Sequence, residues 1–77
     1  MRDGTHVILE GYLEKYLGGK AYDFRDISGS GAIVVEIKQR HFKNQKVSPK
    51  DRVKIEGVVD KDFNSVEIEV SKIIKTP

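Results

Sequence analysis

Residues 60–64 form an acidic stretch whose spacing suggests a cation-binding site. Asp60, Asp62 and Asn64 form a D-x-D-x-N pattern, which matches the first ligands of a calcium-binding loop. Ser65 and Ser71 stand where such a loop needs a glycine and a bidentate glutamate. Short polar side chains also bind their own backbone in turns. The pattern therefore favours a self-capping turn, and a weak cation site stays open.

Groups suited to catalysis are sparse. The two histidines, His6 and His41, have no serine or carboxylate at a spacing that would indicate a catalytic pair. The chain also has no cysteine for a zinc site. Glu67 and Glu69 would lie about 7 Å apart on one strand face, a separation that glycosidases use, but such pairs are routine on a solvent-facing strand. We therefore expect a protein that is not an enzyme and that has no cofactor.

The basic residues are unevenly distributed. The formal net charge is only +2, yet residues 38–54 hold seven basic residues against Asp51 alone. They are Lys38, Arg40, Lys43, Lys46, Lys50, Arg52 and Lys54. A basic segment can bind phosphates, although charge runs on small domains are usually solvated faces. Single-stranded nucleic-acid binding through residues 38–54 is therefore the alternative function.

Period-2 alternation of apolar and polar residues indicates strands at 5–17, 20–27, 32–37, 53–59 and 66–70. Residues 38–45 lack this alternation and could form one or two helical turns, and residues 60–65 form a turn. Gly11 marks a bulge or a sharp bend in the first strand where another backbone approaches. This order predicts an all-β, five-stranded Greek-key barrel, the OB-fold, with a short helical connection between strands 3 and 4. An SH3-like barrel is the runner-up, and residues 1–77 are too few for a second core.

The run from Gly57 to Val70, GVVDKDFNSVEIEV, resembles the GEVDKDWNSxEIDV signature of the bacterial OB-fold (BOF) family, the YgiW/YdeI stress-tolerance group. Similar residues occur at 2–5, 22–26, 35–37 and 47–51, whereas Val58, Phe42 and Phe63 depart from the usual Glu, Trp and Trp. The resemblance implies a periplasmic binding module linked to stress tolerance, with a small or cell-envelope-derived ligand. The family's leader is absent from this sequence, so we expect a mature, shortened domain.

OB-fold ligands usually lie on the outer face of strands 2 and 3, between the 1–2 and 4–5 loops. With Tyr22 and Phe24 inside the barrel, that face carries charges and no ring, so nucleic acid is unlikely to be the partner. The opposite placement would bury Asp23 and Arg25 at a cost. Tyr12 and Tyr16 are expected to point outward, and Phe63 to plug the barrel end.

The candidate ligand-binding residues are Tyr16, Asp23, Arg25, Val34, Glu36, Lys61, Asp62, Phe63 and Asn64. We also expect a monomer without membrane insertion; docking of a partner on strand edges is a third possibility.

Overall fold

Strands of alternating apolar and polar residues close into one barrel. The computed structural model describes residues 4–29, 31–62 and 65–76, with only the backbone of Asp62. Its strands are β1 (His6–Gly18), β2 (Ala21–Asp26), β3 (Ala32–Ile37), β4 (Val53–Asp62) and β5 (Ser65–Lys75). One turn of 3₁₀ helix, Gln39–Phe42, lies between β3 and β4. The predicted five-stranded barrel with a short helical connection is confirmed.

The closed barrel has the strand order β1-β2-β3-β5-β4. β3 and β5 are parallel, and the other neighbours are antiparallel. Each strand thus has a hydrogen-bonded neighbour on both sides, which weakens the idea that a free strand edge docks a partner. Among the described residues, no helix is long and apolar enough to cross a membrane.

The apolar series of every strand faces the barrel interior. Phe24 and Val35 are fully buried, as the predicted alternation requires. Tyr22 packs against this core while remaining half-buried. The buried apolar residues are Leu13, Phe24, Val35, Ile37, Val53, Ile55, Val59, Ile68, Val70 and Ile73. Each large side chain contributes about 1.5–3 kcal/mol when fully buried, so this core stabilises the domain without a disulfide.

Two glycines allow strands to approach closely. A Cβ atom at Gly11 would meet the carbonyl oxygen of Arg25, and one at Gly57 would meet the carbonyl oxygen of Glu69. Both obstacles are backbone atoms, which cannot rotate away as a side chain can. The close approach predicted at Gly11 is therefore present, and Gly57 plays the same part on β4.

A bulge in β1 changes the direction of the residues that follow it. The register to β2 shifts between Leu13 and Lys15, so that Tyr16 lies opposite Tyr22. One inserted residue moves all later side chains to the other face of a strand. Tyr16 is exposed, as predicted, but it lies beside Tyr22 and not on the face of Tyr12, because strict alternation does not continue past Leu13.

The β4–β5 hairpin is longer than the sequence pattern predicts. Asp60, Lys61 and Asp62 pair with Glu67, Val66 and Ser65, so the predicted turn at 60–65 lies mostly within strands. Pairing satisfies backbone groups that a six-residue loop would leave to water. The register also shifts between Glu56 and Gly57, and β5 continues past the predicted end at residue 70. This continuation brings Ile73 into the core.

Candidate functional site

Three aromatic rings meet at the end of the barrel where β1 turns into β2. The ring centroids of Tyr16 and Tyr22 are 5.0 Å apart with an interplanar angle of 49°, and those of Tyr22 and Phe42 are 5.9 Å apart at 65°. These rings line a depression of about 280 Å³, here called the aromatic pocket. Its other lining residues are Leu13, Glu14, Lys15, Gln39, Gln45, Val47 and Pro49. The volume is near the lower end for small-molecule sites and suits one ring.

Tyr16 is held in place although its side chain is exposed. Its hydroxyl donates a hydrogen bond to the carbonyl oxygen of Gly19 at 2.6 Å. Gly18 and Gly19 have φ values of 105° and 57°, which glycine adopts without steric cost. The β1–β2 turn therefore fixes the tyrosine ring over the pocket before any ligand arrives.

Tyr22 forms the floor between the other two rings. Burial raises the pKa of its hydroxyl, and the neighbouring Tyr16 raises the same pKa further. The Tyr22 hydroxyl therefore keeps its proton at neutral pH and can donate a hydrogen bond.

The third wall of the pocket is the connection, residues 38–52, and Gln45 fastens it to the barrel. The Nε2 of Gln45 donates to the carbonyl oxygens of Phe42 and Ile73, both at 2.9 Å. Its Oε1 accepts a hydrogen bond from the backbone N–H of Lys75 at 3.2 Å. Lys43 and Asn44 adopt φ values of 49° and 65°, which turns the chain sharply after Phe42. These contacts hold the Phe42 ring against Tyr22.

The far end of the connection is also tied to β5. The Nζ of Lys75 donates to the carbonyl oxygen of Lys46 at 2.9 Å and lies 3.5 Å from Oδ2 of Asp51. The backbone N–H of Ser48 donates to the same Asp51 oxygen at 2.8 Å. The hydrogen bond from Ser48, and after it the charge of Lys75, lower the pKa of Asp51.

The outer face of β2 and β3, where the sequence predicts the ligand, offers few available groups. Nε of Arg25 donates to Oε2 of Glu14 at 2.7 Å, and its guanidinium carbon lies 5.5 Å from the centroid of the Tyr12 ring. Arg25 is thus occupied by protein partners. Asp23 is half-buried on this face.

Acidic groups dominate where this face continues onto β5 and β4. Carboxylate oxygens of Glu36, Asp60 and Glu69 lie within 4.8 Å of one another, because Glu36 pairs with Glu69 across the parallel strands. Oxygen ligands of this kind suit divalent cations, but Asp60 and Glu69 are exposed and Nζ of Lys20 lies 4.0 Å from Glu36. Nothing beyond the acids themselves points to a metal. The cluster does repel phosphates, which disfavours nucleic acid on this face.

The remaining predicted site residues lie apart from the aromatic pocket. Val34 lines a mostly apolar depression of about 590 Å³ at the opposite end of the barrel, together with Val66. Lys61 is exposed near the end of β4. Phe63, Asn64 and the side chain of Asp62 are outside the described residues, so the aromatic plug and the self-capping turn stay predictions. Of the predicted residues whose side chains the structure describes, only Tyr16 lines the pocket.

Sequence reasoning missed the residues that complete the pocket. Tyr22 was assigned to the interior, and it both packs on the core and lines the pocket. Phe42, Gln39 and Gln45 also line the pocket, and none of them is among the predicted site residues. The available signal was the location of Phe42 inside the basic segment, which places a ring among cations.

The histidines lie outside the pocket. Nε2 of His6 is 3.2 Å from Oε2 of Glu56 on the β1–β4 outer face. Nδ1 of His41 is buried in the 3₁₀ turn and has no hydrogen-bond partner in the part of the chain that the structure describes. Neither contact includes a serine or cysteine nucleophile.

Comparison with known proteins identifies the family. A model of the "Bacterial OB fold (BOF) protein" family matches residues 1–75. Protein YgiW of Escherichia coli strain K12 is 44% identical over 97% of this chain and 56% of its own length. The calcium-regulated OB-fold protein CarO of Pseudomonas aeruginosa is 37% identical over 95% of this chain and 63% of its own. The chain thus spans less than two thirds of these curated relatives.

The fold comparison agrees with the sequence comparison. A solved structure of the hypothetical protein ygiW from E. coli superposes with a TM-score of 0.93 at 43% identity, covering 99% of this chain and 80% of that one. No catalytic family is indicated by these matches. The family model, the relatives and the shared barrel together show that this chain belongs to the bacterial OB-fold (BOF) family.

Proposed function

We propose that this domain is a non-enzymatic binding module and that the aromatic pocket is its ligand site. The observation that carries the proposal is the fixed ring of Tyr16, held above Tyr22 by the hydrogen bond to Gly19. A ring fixed before binding loses little conformational entropy when a ligand stacks on it. We further propose the periplasm and stress tolerance as the setting, and a cell-envelope fragment as the ligand source, as the resemblance described above implies.

The chemistry of the pocket suits a sugar or another small ring. The C–H face of a sugar ring packs on aromatic side chains, while its hydroxyls need nearby polar groups. Tyr22 and Gln39 can supply these, whereas the amide of Gln45 is already engaged in protein hydrogen bonds. A site of this size holds a single ring, so we expect modest affinity and fast exchange.

Single-stranded nucleic acid is the second candidate, and one observation favours it. The rings of Tyr16 and Phe42 lie beside the basic residues of the connection, and stacking rings in a basic groove are how OB-folds bind single strands. The usual path of a strand, across the outer face of β2 and β3, leads instead to Glu36, Asp60 and Glu69. We therefore rank this candidate below a small ligand.

An amide NMR titration tests the ranking. Labelled protein is titrated in parallel with soluble peptidoglycan fragments and with a short single-stranded oligonucleotide. We expect saturable shifts at Tyr16, Tyr22 and residues 39–45 with the glycan. Shifts along residues 38–54 and at Tyr12 with the oligonucleotide alone would contradict the proposal and favour the second candidate. A Tyr16→Ala variant should lose the glycan shifts, while Tyr12→Ala, on the outward side of β1, should retain them.

A further inference from the structure

Exposed basic residues are concentrated on the connection, which forms one wall of the aromatic pocket. Lys15 lies on the pocket wall itself. Every pocket residue supplied by the connection is next to a lysine or arginine in the chain, as Gln39 is next to Arg40 and Phe42 next to Lys43. Together, Lys15 and these neighbours in the chain make six exposed cations: Lys15, Lys38, Arg40, Lys43, Lys46 and Lys50. Within the described ranges, none of their side chains lies within ion-pair distance of a carboxylate.

Three acids at this end of the barrel lie close to other cations, whereas Asp23, opposite Lys15 on β2, has no cation within ion-pair distance among the described residues. The carboxylate of Glu14, which also lines the pocket, contacts Nε of Arg25 at 2.7 Å. Asp51 contacts Lys75, and Glu36 contacts Lys20. The six cations therefore outnumber the unpaired acids at this end of the barrel, and the local charge is net positive. A concave site lined by charges of one sign concentrates ligands of the opposite sign.

We propose that the aromatic pocket selects a ring-shaped ligand that carries a negatively charged group, either a carboxylate or a phosphate. This inference rests on the proposed function and specifies its ligand. The ring stacks on Tyr16, the anionic group pairs with Lys15, and the cations of the connection attract the ligand from solution. The protonated Tyr22 hydroxyl supplies a neutral donor beside them.

The same geometry favours a single anionic ring over a chain of them. The depression of about 280 Å³ accommodates one ring. A longer polyanion leaving the pocket along the outer face of β3 would meet Glu36 and Glu69, whose carboxylates lie near that of Asp60. The opposite charges of these two regions therefore limit the length of the ligand.

Three ligands with the same ring test the inference: glucose, glucuronic acid and glucose 6-phosphate. Each is titrated into labelled protein at low ionic strength, and amide shifts at Tyr16, Tyr22 and Phe42 are followed. We expect at least one anionic sugar to bind about tenfold more tightly than glucose, and the stronger of the two identifies carboxylate or phosphate. Lys15→Gln should weaken that ligand several-fold more than it weakens glucose.

Lys54→Gln is the matched control, because it removes the same charge from the outer face of β4, opposite Glu10 and away from the pocket. It should leave the anionic sugar's affinity within twofold of wild type. Equal binding of all three sugars at the pocket would overturn the anion preference and leave the proposed function intact. Anion-dependent shifts confined to residues 38–54, without Tyr16 or Tyr22, would overturn both, and so would the absence of pocket shifts with every sugar and with peptidoglycan fragments.

Discussion

The side-chain amide of Gln45 joins the connection to the last strand: its Nε2 donates to the carbonyl oxygen of Ile73, 28 residues away, at 2.9 Å. The same nitrogen donates to Phe42, and the amide oxygen accepts from Lys75. One side chain thus positions a wall of the pocket relative to the barrel. Since Ile73 is itself in the core, the wall is fixed directly to the packed interior of the barrel.

Replacing Gln45 by alanine should therefore weaken both the fold and the site. Three hydrogen bonds are lost, and each contributes about 0.5–1.5 kcal/mol net, so we expect the free energy of unfolding to fall by about 1.5–4.5 kcal/mol in urea denaturation. Gln39→Ala serves as the control, because Gln39 lines the pocket without holding the connection to β5. Equal stability of the two variants would contradict the positioning role of Gln45.

Tyr16→Ala should remove most of the ligand affinity with little loss of stability, because the side chain is 58% exposed. Stacking on one aromatic ring contributes about 1–3 kcal/mol in sites that bind bases, so we expect a loss of about tenfold or more for a ring-shaped ligand. Tyr16→Phe keeps the ring but loses the hydrogen bond to Gly19, and its affinity should be intermediate. If Tyr12→Ala reduces binding as strongly as Tyr16→Ala, the ligand lies elsewhere.

Gly57→Ala should be among the most damaging single substitutions. The added methyl group would collide with the backbone carbonyl of Glu69, and β4 and β5 would have to separate. We expect a loss above about 3 kcal/mol, in the tail of the usual distribution for point mutants. Val58→Ala, at the exposed neighbouring position, should cost about 1 kcal/mol or less by the same denaturation measurement. Similar losses for both variants would mean that β4 tolerates a side chain at residue 57.

The lowered pKa of Asp51 predicts a specific acid sensitivity. Because the folded-state pKa lies below the ordinary value of 3.8, the ionised carboxylate stabilises the fold above that value. This stabilisation is lost as the pH falls through the folded-state pKa. Urea midpoints of wild type and Asp51→Asn at pH 6 and at pH 2.5 should therefore converge at the lower pH. Parallel midpoints at both pH values would show that the contacts of Asp51 with Ser48 and Lys75 do not affect stability.

Neutralising one member of the acid cluster should stabilise the protein. Glu69→Gln removes repulsion from Glu36 and Asp60, and like charges facing each other on a sheet cost about 0.2–1 kcal/mol. We expect a small rise in Tm at low ionic strength that disappears in 1 M NaCl, because salt screens the repulsion. A fall in Tm at low salt would mean that the carboxylate of Glu69 makes a favourable contact instead.

The barrel could be predicted from the sequence because its information is local. Alternation placed Phe24 and Val35 inside, and Gly11 marked a close approach of two strands. These features depend on residue type and a period of two, which a single sequence displays.

The pocket could not be predicted in the same way, because it depends on one inserted residue and on contacts between distant segments. Nothing in the composition near Glu14 marks a bulge, yet the bulge is what turns Tyr16 toward Tyr22. The hydrogen bond from Gln45 to Ile73 likewise depends on a continuation of β5 that the alternation did not indicate. The candidate site therefore differs from the predicted one because it depends on strand register and long-range contacts, which a single sequence does not display.

The parallel pairing of β3 with β5 also has a consequence for how the chain folds. Val35 pairs with Ile68, and the whole connection and β4 lie between them in the sequence. The first three strands can form a meander early, but their sheet stays open until β5 has been made and docked. Barrels with such non-local pairing fold in about milliseconds to seconds, more slowly than helical domains of similar size. During synthesis, one edge of β3 therefore stays unpaired until nearly the entire domain has left the ribosome.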